Sequence, residues 1–184
     1  MTLLTDAARP APVDADDRSA RLAGAGTAWN DRIDADRAAA HLTYRVHGTG
    51  EGAVATRISA GRHDFFVDEP AALAGDDVAA SPVEYALGAL ISCQVVVYRL
   101  YANALGIPFD DISITATGRL DAARLFGKDD QVRAGFQSIE LDVRVSGTET
   151  QERYDHLASV VDAHCPVLDL FSNPTPVTST VLRV

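Results

Sequence analysis

Two residues, Cys93 and Cys165, make up the whole thiol content of the chain. A thiolate is a nucleophile, a metal ligand and one half of a disulfide. Cys93 stands in the middle of the apolar run EYALGALISCQVVVYRLYANALG, and Cys165 lies between His164 and Pro166. The pair forms no CxxC and has no zinc-finger spacing. His164 beside Cys165 is a tempting ligand, but a zinc site needs about four donors and nothing else converges in sequence. No metal or cofactor is therefore expected.

Their surroundings differ. The helical neighbours of Cys93 at three and four residues are Ala89, Leu90, Val96 and Val97, all apolar. On that evidence Cys93 reads first as a buried core thiol, far from the thiolate-stabilising field of a helix N-terminus. Cys165 ends a helical pattern. The residue before a proline avoids the α region, so the helix breaks there and Pro166 opens a short new turn. A thiol at that cap meets free N–H groups and gains acidity; its plain reading is a small residue at a helix stop.

The elements that must hold these thiols can be read around them. Ser81 is the N-cap of the apolar helix, Pro82 its first residue and Glu84 the partner of Ser81 in a capping box. Gly106 stops it, with Pro108 beyond. Being apolar on most faces, this helix belongs at the centre. Alternation predicts strands in AHLTYRVHG, AVATRISAG and RHDFFVDEP, with GTGEG as the turn of a first hairpin with a longer loop. DDISITATGRL and GFQSIELDVRVSG read as two more strands, joined by a loop. TQERYDHLASVVDAHC reads as an amphipathic helix with Tyr154, Leu157 and Val161 on one face, PVLDLF as a short helical turn, and PVTSTVLRV as a closing strand. The order β-β-β-α-β-β-α-β is α+β with mostly antiparallel sheet. Residues 1–38, with Pro10, Pro12 and many Ala, Asp and Arg, read as an N-terminal extension, mobile or loosely docked, with Trp29 as a possible anchor. Residues 39–184 form the domain.

The chain has 184 residues and a net charge of −10. That balance argues against nucleic acid or an anionic membrane as partner. Glu84, Gln94, Arg99 and Asn103 interrupt the longest apolar run, so no membrane span is expected. The N-terminus lacks the pattern of a secretory signal, and the reading is cytoplasmic, with reduced thiols or a working redox pair. His41, His47 and His63 read as surface or interface residues rather than bases. GTGEG lacks the following helix that a phosphate loop requires.

Three stretches together resemble the OsmC/Ohr family of osmotically induced and organic-hydroperoxide-resistance proteins: SPVEYALGALISC with YRLYANALGI, then CPVLDLFSNPTPV, and HDFFVDEPAALAGDD before the first cysteine. The likeness covers roughly residues 40–184. It implies an intertwined homodimer in which two sheets wrap a pair of long central helices, with active sites at the subunit interface. It implies a thiol-dependent peroxidase with Cys93 as peroxidatic and Cys165 as resolving cysteine, an organic hydroperoxide as substrate and an external dithiol as reductant. The hydroperoxide-reductase branch carries an arginine in the first hairpin loop, which GTGEG lacks. Arg57, Arg62 and Arg133 are the substitutes, and Arg62 is taken with Glu84 as the supporting pair. That branch also places its glutamate directly after the helix-opening proline, where this chain has Val83. One residue is about 100° of helix, so Glu84 does not inherit the role automatically. The alternative is a small-molecule binding or redox-sensing protein on the same fold.

Overall fold

The computed structural model describes residues 10–183. Helix α1 (Ala15–Ala35) comes first, then strands β1 (Val46–Glu51), β2 (Ala55–Ala60) and β3 (His63–Val67). The long helix α2 (Pro82–Leu105) follows, then β4 (Asp111–Arg119), β5 (Ser138–Ser146), α3 (Gln151–His164) and α4 (Pro166–Ser172). One antiparallel sheet has the order β1-β2-β3 and the other is the antiparallel pair β4-β5. This is the α+β arrangement expected.

The start of α2 follows its local sequence. The Ser81 backbone N–H and hydroxyl both donate to Glu84 Oε2, at 2.8 and 2.6 Å, and Glu84 N–H donates back to Ser81 Oγ at 3.4 Å. Gly106 ends the helix at φ 61°, and Ile107 N–H returns to the Ala102 carbonyl. Upstream, buried Asp68 accepts from the N–H groups of Asp76 and Val78 and so orders the loop that feeds this cap. By length and composition alone α2 is apolar enough to cross a membrane, which corrects the sequence expectation. In this fold it is a core helix. Leu90, Gln94, Val97, Tyr98 and Ala102 are buried, and α1, α3, α4 and β4 all pack against it.

Two strand assignments change. Leu42 and Tyr44 lie outside any strand, at 50% and 84% exposure, while most of GTGEG is strand. The turn is only Gly52–Val54, with Gly52 at φ 57°. Pairing with β2 sets this register. Gly48 faces Ile58, whose Cδ1 would lie 3.1 Å from an added Cβ, so glycine here serves close packing rather than a turn. At the C-terminus, PVTSTVLRV forms no strand through residue 183. Val177 and Val181 are almost fully exposed, and no described strand pairs with them. Alternation supplies a strand pattern but not the neighbour that a ladder needs.

Residues 15–35 form a helix that the apolar pattern did not reveal, since none of its residues is buried. Local polar contacts start it: Asp14 caps Asp17 N–H at 2.8 Å, and Arg21 pairs with Asp17 one turn away. Ser19 Oγ donates to Asn103 Oδ1 at 2.8 Å, tying α1 to α2.

The core lies between α2, α3 and the β4-β5 pair. Val97, Tyr98, Ala102, Ile107, Leu157, Val161 and Cys165 form one buried cluster, flanked by Ile112, Ile114 and Val143. β4 and β5 alternate inward and outward along their whole lengths. Arg153 donates to the Gly106 carbonyl at 2.7 Å and Tyr154 Oη to the Pro108 carbonyl at 3.2 Å, fastening α3 to the end of α2. The three-stranded sheet meets α2 through Tyr85, which donates to the Phe66 carbonyl at 2.8 Å and packs on Phe65 with ring centroids 5.2 Å apart.

Candidate active site

Cys93 sits at the boundary of the core. Leu90 and Val97, three residues before and four after it, are 1% and 6% exposed, whereas Val96 is 56% exposed. The apolar run therefore has a sealed side and an open one, and Cys93, half-buried, lies between them. Gln94 beside it is fully buried and donates to Asp162 Oδ1 at 3.4 Å. That bond joins α2 to α3 next to the thiol. A lone amide in an apolar helix was the sequence signal for it; it read there only as an interruption.

Cys165 is the joint between α3 and α4, closing one helix and capping the next, as Pro166 requires. It is 2% exposed. The two cysteines are not bonded, and half-buried Cys93 packs against the buried cluster that contains Cys165. Burial is the main influence on the Cys165 thiol and pushes its pKa up; the Cys93 thiol adds to this. The N–H groups of Leu168 and Val167 pull the other way, but neither closes a full capping hydrogen bond. The expected gain in acidity is thus reversed. The helix start is where the sequence puts it, but desolvation outweighs its N–H groups.

A cavity of about 450 Å³ lies along the two helices that carry the pair, although neither cysteine lines it. Leu90 and Leu168, neighbours of the two cysteines on their own helices, both line it, with Phe136, Leu141 and Phe171 as further apolar wall. Arg133, from the long β4-β5 connection, lines it too. Arg57 is held by Asp64 at 3.2 Å on the outer sheet. Arg62 occupies the tight β2-β3 turn after Gly61 and has no hydrogen bond or ion pair with the described residues. Glu84 is engaged by Ser81, whose hydroxyl and then N–H hold its carboxyl below the usual glutamate range. Nine residues separate Glu84 from Cys93, so they lie about 14 Å apart along the axis and on opposite sides of α2. No arginine contacts Glu84 among the described residues. His164, next to Cys165, gives its Nδ1 to the Val160 carbonyl at 2.7 Å and stacks on Tyr101 with centroids 4.6 Å apart. Among the described residues no three His, Cys, Asp or Glu side chains cluster as a metal site would require.

An α+β fold with antiparallel sheets and a long central helix is the architecture of the OsmC-like proteins. Residues 75–180 match the family described as OsmC-like protein, and the chain belongs to it. Solved structures agree on the fold. An OsmC-like protein from Mycoplasma pneumoniae superposes with a TM-score of 0.62 at 15% identity, over 71% of this chain and 87% of that one. An organic hydroperoxide resistance protein OsmC from Legionella pneumophila gives 0.57 at 20% identity, over 72% and 91%. An organic hydroperoxide resistance protein from Elizabethkingia anophelis gives 0.53 at 19%, over 71% and 90%. No curated protein matches the sequence.

Proposed function

We propose that this protein is a thiol-dependent peroxide reductase acting on organic hydroperoxides. The observation that carries the reading is the packing of half-buried Cys93 against the core cluster that holds Cys165, with Leu90 and Leu168, three residues from the two cysteines, lining one cavity. The Cys93 thiolate attacks the terminal oxygen of ROOH; the O–O bond breaks and ROH leaves. Cys93 is now a sulfenic acid. The Cys165 thiolate attacks its sulfur, hydroxide departs as water, and a Cys93–Cys165 disulfide remains. An external dithiol reduces it by exchange. The apolar wall favours an organic over an inorganic peroxide. Arg133 is the cation its own chain offers to the thiolate.

Two groups of exposed apolar side chains support a homodimer. Val83, Val96 and Leu105 of α2 and Phe65 and Phe66 of the outer sheet are all at least a third exposed. A second copy laid against them would bury both groups. Arg62 and Glu84 belong to the site only through that dimer. Sedimentation of the intact protein tests it, and a monomer at micromolar concentration would sink it. The reduced dithiol fits a cytoplasmic setting.

The decisive experiment is the intact mass of fully reduced protein after one equivalent of cumene hydroperoxide. The expected result is the loss of two hydrogen atoms, with a peptide map joining Cys93 to Cys165. An unchanged mass would overturn the reading and favour a small-molecule binding protein.

A further inference from the structure

The N-terminal helix builds a second cavity with α2, lined by neither cysteine. It encloses about 320 Å³. Arg18 of α1 and Arg99 of α2 both line it, with Leu22, Ala102, Pro108 and Phe109 among its apolar walls. Both arginines are half-buried. Arg18 donates only to the Val13 carbonyl, at 3.3 Å. The Arg99 guanidinium lies 5.6 Å from the centre of the Phe109 ring. Neither forms an ion pair with the described residues, whereas Arg21, Arg57, Arg119, Arg144 and Arg153 all do.

Asp and Glu number 26 against 16 Lys and Arg, so carboxylates are plentiful, yet none forms a salt bridge with these two guanidinium groups. Burial and then the Arg18 charge lower the Arg99 pKa, and the Asp111 charge opposes them. Two like charges in a partly dry cavity repel, and a bound anion relieves the repulsion. Paired guanidinium forks match the planar oxygens of a carboxylate.

The cavity does not end at the arginines. Leu22 also lines a neighbouring groove of about 490 Å³, walled by Trp29, Leu100 and Tyr101. Arg18 and Arg99 lie at one end of this seam; the groove beyond is walled mostly by apolar side chains, with Asn30 among them and Arg32 over the Trp29 ring at 4.9 Å. We infer that the α1–α2 seam is a binding site for an amphiphilic monocarboxylate, its carboxylate held between Arg18 and Arg99 and its aliphatic body laid over Leu22 toward Trp29. The site is independent of the peroxide reading. It gives α1 a function, since α1 lies outside the residues matched to the family.

Trp29 is the only tryptophan in the chain and reports on the groove directly. The full-length protein is titrated with decanoate and, separately, with decanol, following Trp29 emission. Decanoate is expected to give a saturable blue shift with an affinity at least about tenfold better than decanol. Arg18→Gln and Arg99→Gln should each abolish that preference, while Arg21→Gln, whose guanidinium serves Asp17 instead, should keep it. If Arg99→Gln loses helical ellipticity, Arg18→Gln carries the test alone, since α1 has no buried residue. Equal binding of the two probes, no saturable change, or a preference that survives Arg18→Gln would overturn the site.

Discussion

Cys93 packs against the core cluster that contains Cys165, although one lies midway along α2 and the other in the joint between α3 and α4. Cys93 is half-buried and Cys165 is sealed in the core. The exposed partner can meet a peroxide, and the sealed one can meet only the exposed partner. That asymmetry assigns the proposed roles and leads to distinct outcomes for the two substitutions.

Cys93→Ser is expected to abolish consumption of cumene hydroperoxide. Cys165→Ser should still react once, then hold a sulfenic acid that a dimedone adduct reveals by mass, and overoxidise with excess peroxide. Unchanged turnover in both variants would remove the cysteines from the chemistry.

Closure of the disulfide requires the Cys165 thiolate. Burial raises that thiol's pKa, so its thiolate fraction at neutral pH is below that of an ordinary cysteine. Closure after a single turnover should therefore accelerate about tenfold per pH unit through the neutral and mildly alkaline range. Rapid quench followed by mass measurement reads it, and a flat profile would contradict the burial argument.

Ser81→Ala removes the hydroxyl half of the capping box, at a cost of about 1 kcal/mol in urea denaturation at neutral pH. The sign of its pH dependence follows from Glu84. Its folded pKa is depressed, first by the Ser81 hydroxyl, so that stabilisation is present above the ordinary glutamate range and is lost as pH falls through the lowered value. The gap between wild type and Ser81→Ala should narrow in acid. A gap that widens there would mean that the carboxylate does not take part.

Tyr98 governs the alkaline limb. Burial, and then the Asp162 charge, push its phenol up from 10.0 to about 12. A raised folded pKa gives stability that is complete below the ordinary tyrosine value and is lost as pH rises through about 12. Tyr98→Phe should flatten that decline, by an amount of order 2 kcal/mol. Cys165 titrates in the same direction, so denaturation curves are to be compared with both thiols reduced. An identical alkaline decline in the variant would mean that other groups control it.

Signals that act within one turn of chain were legible in the sequence. Ser81, Pro82 and Glu84 open α2, Gly106 closes it, and Pro166 breaks the chain after Cys165; each depends on hydrogen bonds or φ restrictions between residues no more than four apart. The alternation of β4 and β5 depends only on which residues face the core. What the tertiary structure alone decided depends on what comes next to what. Gly48 and Gly50 lie in a strand because β2 pairs with them, while Val177 and Val181 find no strand partner among the described residues. Of the three arginines open as substitutes, Arg133 alone lines the cavity along the cysteine-bearing helices, because the β4-β5 connection folds back over α2 and α4. Local reading made Cys165 a capping thiol of enhanced acidity. The core closed over it, and desolvation, which no sequence window carries, reversed the sign.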